Sequence, residues 1–150
     1  MKVVIQRVTH ASVSINNIVK GKIQNGFMIL AGFVDNDTDE DMMWIANKIV
    51  GLRIFNDQND VMNLSIKDTD GDILLISQFT LHASTKKGNR PSYIAAAKPN
   101  IAKPMYLKFI NVLENTLGKQ IQTGEFGADM KVELLNDGPV TIIIDSKNKE

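Results

Sequence analysis

The chain has 150 residues with 17 basic and 17 acidic side chains and no cysteine. Zero net charge removes the broad electrostatic footprint of a protein that wraps nucleic acid, so no DNA partner is expected, and the missing thiols exclude disulfide frameworks, thiolate nucleophiles and cysteine-based metal sites. The length suits one domain over 1–150, and the longest apolar run, Phe27 to Val34, is strand-sized, so no membrane span is expected.

The opening "MKVVIQRV" alternates and soon turns polar, without the apolar core or cleavage site of a secretion signal, and the cytoplasm is the expected compartment. The first third predicts strands: "KVVIQRV", "ASVSI", "IVKGKI" after Asn16-Asn17, and "FMILAGFV" after Asn25-Gly26, in the manner of an antiparallel meander. Asp37 with Glu40 suggests a capping box, and Met42, Ile45, Ile49 and Leu52 at helical spacing predict a helix over 38–51 with Trp44 at its core edge. "DNDTDEDM" has the wrong residues at the turn and bidentate positions of a calcium loop and reads as a solvated loop and cap. "VMNLSI" and the continuous apolar "DILLISQFT" predict further strands, the second buried on both faces.

A second helix is expected over 100–117, with Ile101, Met105, Phe109, Val112, Leu113 and Leu117 on one side and Pro104 tolerable only in its first turn. Strands around "KQIQT", "DMKVELL" and "VTIIID" follow, and residues 146–150 are expected to fray. The class is α+β, mostly antiparallel strands forming a sheet or barrel-like core with two principal helices.

Chemistry is sparse. His10 and His82 lie far apart, no His or carboxylate cluster has metal-ligand spacing, and no Gly-rich phosphate loop occurs, so neither metal nor cofactor is expected. Two stretches remain. In "ISQFTLHAS" an apolar strand runs into small polar residues and then the basic loop "TKKGNRP", a setting where sites are built. Thr80 lacks a neighbouring base to make it a nucleophile, so catalysis there would fall to backbone N–H groups and a group on the substrate. In "ELLNDGPVTIII", Asp137-Gly138 between apolar residues signals a hairpin turn, yet Pro139 removes an N–H where the second strand would begin to pair.

"SQFTL" at Ser77 to Leu81 and "NDGPVT" at Asn136 to Thr141 resemble the two signature motifs of the D-aminoacyl-tRNA deacylases, and "VIQRV", "ASV", "KKGNRPSY" and "TGEFGADM" extend the resemblance over nearly the whole chain. Tyr93 stands where Phe is common in that family and His82 where Tyr is frequent. The resemblance implies hydrolysis of the ester of D-aminoacyl-tRNA, and of mischarged glycine to some degree, by a two-fold homodimer. It places Ser77, Gln78, Phe79 and Thr80 in the catalytic pocket, with an N–H near Phe79 or Thr80 stabilising the oxyanion, Thr80 positioning substrate and the terminal 2′-hydroxyl helping to activate water. From the partner subunit, Gly138 and Pro139, joined by a cis bond, would exclude L-amino acids, supported by Arg7, Val140 and Thr141. Phe126 and Met130 would pack around the terminal adenine. Lys86, Lys87 and Arg90 would meet phosphates of the 3′ CCA end. The alternative from another class is a non-catalytic dimer that binds RNA 3′ ends or nucleotides.

Overall fold

A computed structural model describes residues 1–149. Its strands are β1 (Lys2–Ile15), β2 (Ile18–Ile23), β3 (Gly26–Gly32), β4 (Phe55–Asn56), β5 (Met62–Leu64), β6 (Asp72–Ser77), β7 (Gln122–Thr123) and β8 (Lys131–Asp145); its helices are α1 (Asp39–Gly51) and α2 (Pro99–Leu117). The first two expected strands are one, because alternation from Val3 to Ile15 continues through Thr9 and His10 and β8 pairs along almost all of it. β1 pairs antiparallel with β2, β3 and β8, whereas β3–β6 and β6–β7 are parallel. Parallel neighbours need long crossovers, and α1 and α2 lie in those two connections.

The sheet order β2-β1-β3-β6-β7 curls until its ends approach. A methyl group on Gly21 of β2 would lie 2.9 Å from the Thr123 carbonyl oxygen of β7, so the mixed sheet nearly closes into a barrel around Val13, Ile23, Met28, Leu74 and Ile76. The other face carries both helices over Ile5, Phe27, Ile29, Ile73 and Leu75. β6 is therefore buried on both faces, as its unbroken apolar run implies.

Local chemistry revises several expectations. The capping box at α1 is Thr38 with Asp41, whose carboxylate accepts the Thr38 N–H at 2.8 Å. Asp37 is instead buried against the Met1 amino group and accepts the Val34 N–H at 2.8 Å, so this part of the acidic run is not solvated. Pro99 takes the first position of α2, which puts Pro104 beyond the first turn, inside the helix. The face of α2 turned to the core centres on Ala102, Tyr106, Phe109, Leu113 and Leu117, with Ile101, Met105 and Val112 flanking it. Residues 146–149, where fraying was expected, are held. The Ser146 N–H donates to the Met1 carbonyl at 2.9 Å, Lys147 reaches Asp41 at 2.6 Å, and the Lys149 ammonium lies 4.7 Å from the centre of the Trp44 ring. Glu150 lies outside the described residues.

No hairpin forms at "NDGP". β8 runs through it as one strand, and its pairing with β1 shows why. Val8 faces Asn136 and Gln6 faces Thr141, so Arg7 alone stands opposite four residues, Asp137 to Val140, which bulge out of the ladder.

Candidate active site

The parallel strands β3 and β6 end side by side, Ala31 opposite Ser77, and a cavity of about 550 Å³ opens beyond their carboxyl ends. That is the usual place for a ligand in sheets with parallel strands, because the chains diverge there into loops. Ser77, Gln78 and Phe79 form one wall, the start of α2 with Ala96, Ala97 and Pro99 another, and Phe126 to Met130 a third.

After Ser77 the chain leaves the sheet. The Gln78 N–H still donates to the Ala31 carbonyl at 2.7 Å, and then Phe79–His82 form a 3-10 turn whose first bond runs from the Leu81 N–H to the Gln78 carbonyl at 3.4 Å. The N–H groups of Phe79 and Thr80 precede that bond and so have no partner within the turn. The expected strand "DILLISQFT" thus stops at Ser77, and the change of geometry is what presents these donors. The Thr80 hydroxyl accepts from the Gln78 side-chain amide at 2.6 Å; among the described residues it meets no histidine or carboxylate that could activate it. Phe79 is half exposed and packs edge-on against Tyr93, ring centres 5.1 Å apart.

Phe126 and Met130 line the cavity and also pack on core clusters, Phe126 with its ring centre 5.9 Å from that of Tyr106. Tyr106 is buried and donates to the Leu75 carbonyl at 2.9 Å; burial pushes its phenol well above the ordinary range. Lys86, Lys87 and Arg90 are exposed on a loop closed at its base by the Ser84–Ser92 backbone pair, and none of them lines the cavity.

The bulge is built separately. Arg7, 7% exposed, donates from Nε to the Asp137 carbonyl at 2.9 Å and from Nη1 to the Ile54 carbonyl at 2.5 Å, with Asn56 Oδ1 at 3.3 Å. Asn136 clamps the other side, accepting the Val140 N–H at 2.8 Å and donating to the Val140 carbonyl at 3.2 Å and the Thr141 hydroxyl at 3.1 Å. Gly138 has φ +143°, which side chains avoid, and the Gly138–Pro139 bond is cis. Both residues are exposed, and neither lines the cavity of its own chain.

Two groups of expected site residues are therefore assembled, Ser77 to Phe79 with Phe126 and Met130 at the cavity, and Arg7 with Gly138 to Thr141 at the bulge, but one chain does not join them. Asn136, Gly32 and Tyr106 stand outside the expected set. Asn136 carries the one legible signal among them, since Asn readily bonds backbone a few residues on. Among the described residues no group of three His, Asp or Glu is placed to hold a metal.

The model of the D-Tyr-tRNA(Tyr) deacylase family matches residues 4–145. The chain is 64% identical over 150 residues to the D-aminoacyl-tRNA deacylase of Flavobacterium psychrophilum and 66% identical over 150 residues to that of Bacteroides fragilis, covering 100% of each. Among solved structures it resembles a c-Myc DNA unwinding element binding protein, TM-score 0.92 at 37% identity with 97% of this chain and 98% of that one covered. A probable eukaryotic D-amino acid tRNA deacylase shares the fold, TM-score 0.82 at 17% identity with 95% and 97% covered. With both motifs and every residue between them inside that match, the chain belongs to the D-aminoacyl-tRNA deacylase family of hydrolases.

Proposed function

We propose that the protein hydrolyses the ester joining a D-amino acid to the 3′ end of tRNA, and to a lesser degree mischarged glycine, in the cytoplasm. Water adds to the acyl carbon, and the ester oxygen leaves with a proton as the terminal hydroxyl of free tRNA. The N–H groups of Phe79 and Thr80 stabilise the oxyanion, the substrate 2′-hydroxyl helps to activate water, and Thr80 positions substrate. Phe126 and Met130 take the terminal adenine, and Lys86, Lys87 and Arg90 the flanking phosphates.

The observation that carries this reading is the separation of the two motifs. The cavity has Ser77 to Phe79 on its wall, while Gly138 and Pro139 of the same chain stand outside it on an exposed bulge anchored by Arg7. In a two-fold dimer each bulge enters the partner's cavity, and its main chain blocks the side chain of an L-amino acid while leaving room for that of a D-amino acid. Such exclusion barely reads the side chain, so many D-amino acids are accepted.

Matched D- and L-tyrosyl-tRNA test the chemistry: the D-ester is cleaved, the L-ester spared, and activity survives exhaustive chelation. Binding of both without turnover would leave a non-catalytic RNA-end module. Mixing chains inactivated in the pocket with chains inactivated at the bulge tests the shared pocket, because a mixed dimer regains one intact site. An active monomer would end the dimer reading.

A further inference from the structure

Gly32 closes β3 on the cavity wall, and its backbone does not require glycine, since it is not among the residues of positive φ. Space is the reason for it. A methyl group on Gly32 would lie 2.7 Å from the Gln78 carbonyl oxygen, closer than real methyl contacts come, and 3.1 Å and 3.2 Å from His82 Cδ2 and Leu81 Cβ. All three belong to the segment that turns the chain out of β6 and presents the Phe79 and Thr80 N–H groups. The nearest contact is backbone and cannot rotate away. Relief would mean sliding the turn off β3, against the bond from the Gln78 N–H to the Ala31 carbonyl at 2.7 Å.

We propose that Gly32 is a positioning residue of the hydrolytic site: its bare α-carbon seats the Gln78 carbonyl against β3 and thereby fixes where the two oxyanion donors point. The proposal rests on the deacylase reading above and adds a residue to it. A displaced turn weakens the donors' grip on the transition state while leaving most of the surface that binds tRNA untouched, so the loss falls on kcat.

The test compares Gly32→Ala with Gly51→Ala, a glycine whose added methyl meets nothing within 4 Å. Gly32→Ala should lose kcat on D-tyrosyl-tRNA by on the order of 10²-fold, the scale of a misplacement of about 1 Å, with KM changed less than about threefold. Gly51→Ala should match the parent. In protein carrying 4-fluorophenylalanine, the Phe79 resonance, assigned by its loss in Phe79→Leu, should shift in Gly32→Ala without substrate present. Unchanged kcat in a folded Gly32→Ala, or a fall in kcat with an unmoved Phe79 resonance, overturns the proposal. Where Gly32→Ala does not fold, amide exchange in the parent decides: a slow Gln78 N–H supports a rigid seat, and exchange as fast as in the 85–90 loop overturns it. An inactive parent ends the functional reading itself, an outcome separate from an active parent indifferent at Gly32.

Discussion

Replacing Arg7 by Lys keeps the charge at the bulge and removes the planar fork that reaches two carbonyls at once. Arg7 gives Nε to Asp137 at 2.9 Å and Nη1 to Ile54 at 2.5 Å from a nearly buried position. A single ammonium on a flexible stem can serve one of these acceptors but not both in this geometry. Hydrogen bonds from a charged donor are each worth about 1.5–3 kcal/mol, so losing one should cost about that much. The ion pair with Asp137 adds little, because its 3.5 Å separation involves a carboxylate about half exposed. For a chain of this length the loss corresponds to a fall in Tm of roughly 3–12 °C. Well below that Tm the enzyme stays folded, and the same energy appears as a depopulated working geometry of the bulge, a drop of roughly 10- to 100-fold in kcat/KM on D-tyrosyl-tRNA. Thermal melting and single-turnover deacylation, with exchange of the Val140 amide as a local probe, measure the two effects separately. A variant that melts lower yet deacylates at the parent rate would refute the view that Arg7 holds the bulge for function.

Gly138→Ala should cost about 1–3 kcal/mol locally and abolish or relax discrimination between D- and L-esters, since the position combines φ +143° with a Cβ 2.7 Å from Val140 Cγ2; comparing rates on the two esters checks this. Asp37→Asn leaves the buried Met1 ammonium without its counter-charge and should destabilise by about 3–5 kcal/mol in a urea titration with little change in kcat. Partial burial pushes the Asp41 carboxyl up, but Lys147, Thr38 and Ser146 together hold it well below 3.8. Its contribution to stability is therefore complete above an unfolded value of about 3.9 and is lost as pH falls through the depressed folded value. Lys147→Met should move the Asp41 carbon-13 titration midpoint up toward 3.8 and raise the pH of acid unfolding; an unmoved midpoint would sink the assignment.

The helices, the doubly buried β6 and both motif segments were legible because each is written in local pattern: periodicity in α1 and α2, an unbroken apolar run in β6. What escaped depends on partners far along the chain. Alternation through Thr9 and His10 is as compatible with two strands as with one; only the pairing of His10 with Leu135 and Ala11 with Leu134 decides it. "NDGP" carries hairpin chemistry, but β1 supplies a continuous partner on both sides of it, and tertiary pairing overrides the local turn. Asp37 reads as the cap, but the Met1 amino group, 36 residues away, takes it, and Thr38 caps α1 instead. The parallel β3–β6 pair, which places the cavity, is invisible to any window shorter than the crossover between the strands.

If the working groups are main-chain atoms, as proposed, a search for catalytic side chains should find little. Proline apart, substitutions cannot remove a main-chain donor, only displace it, so sensitivity should move to residues that let backbone approach backbone. Thr80→Val keeps the N–H of residue 80 and loses only the hydroxyl that accepts from Gln78, a net loss of about 0.5–1.5 kcal/mol if the pair acts as an ordinary hydrogen bond. Gly32→Ala keeps every polar group and shifts the turn that carries two of them. On the main-chain account the glycine substitution is therefore the more damaging to kcat, although it touches no polar atom of the site. If Thr80→Val proved the worse by an order of magnitude or more, the hydroxyl would have a chemical role that the bond from Gln78 alone does not supply, and the main-chain account of this site would fail.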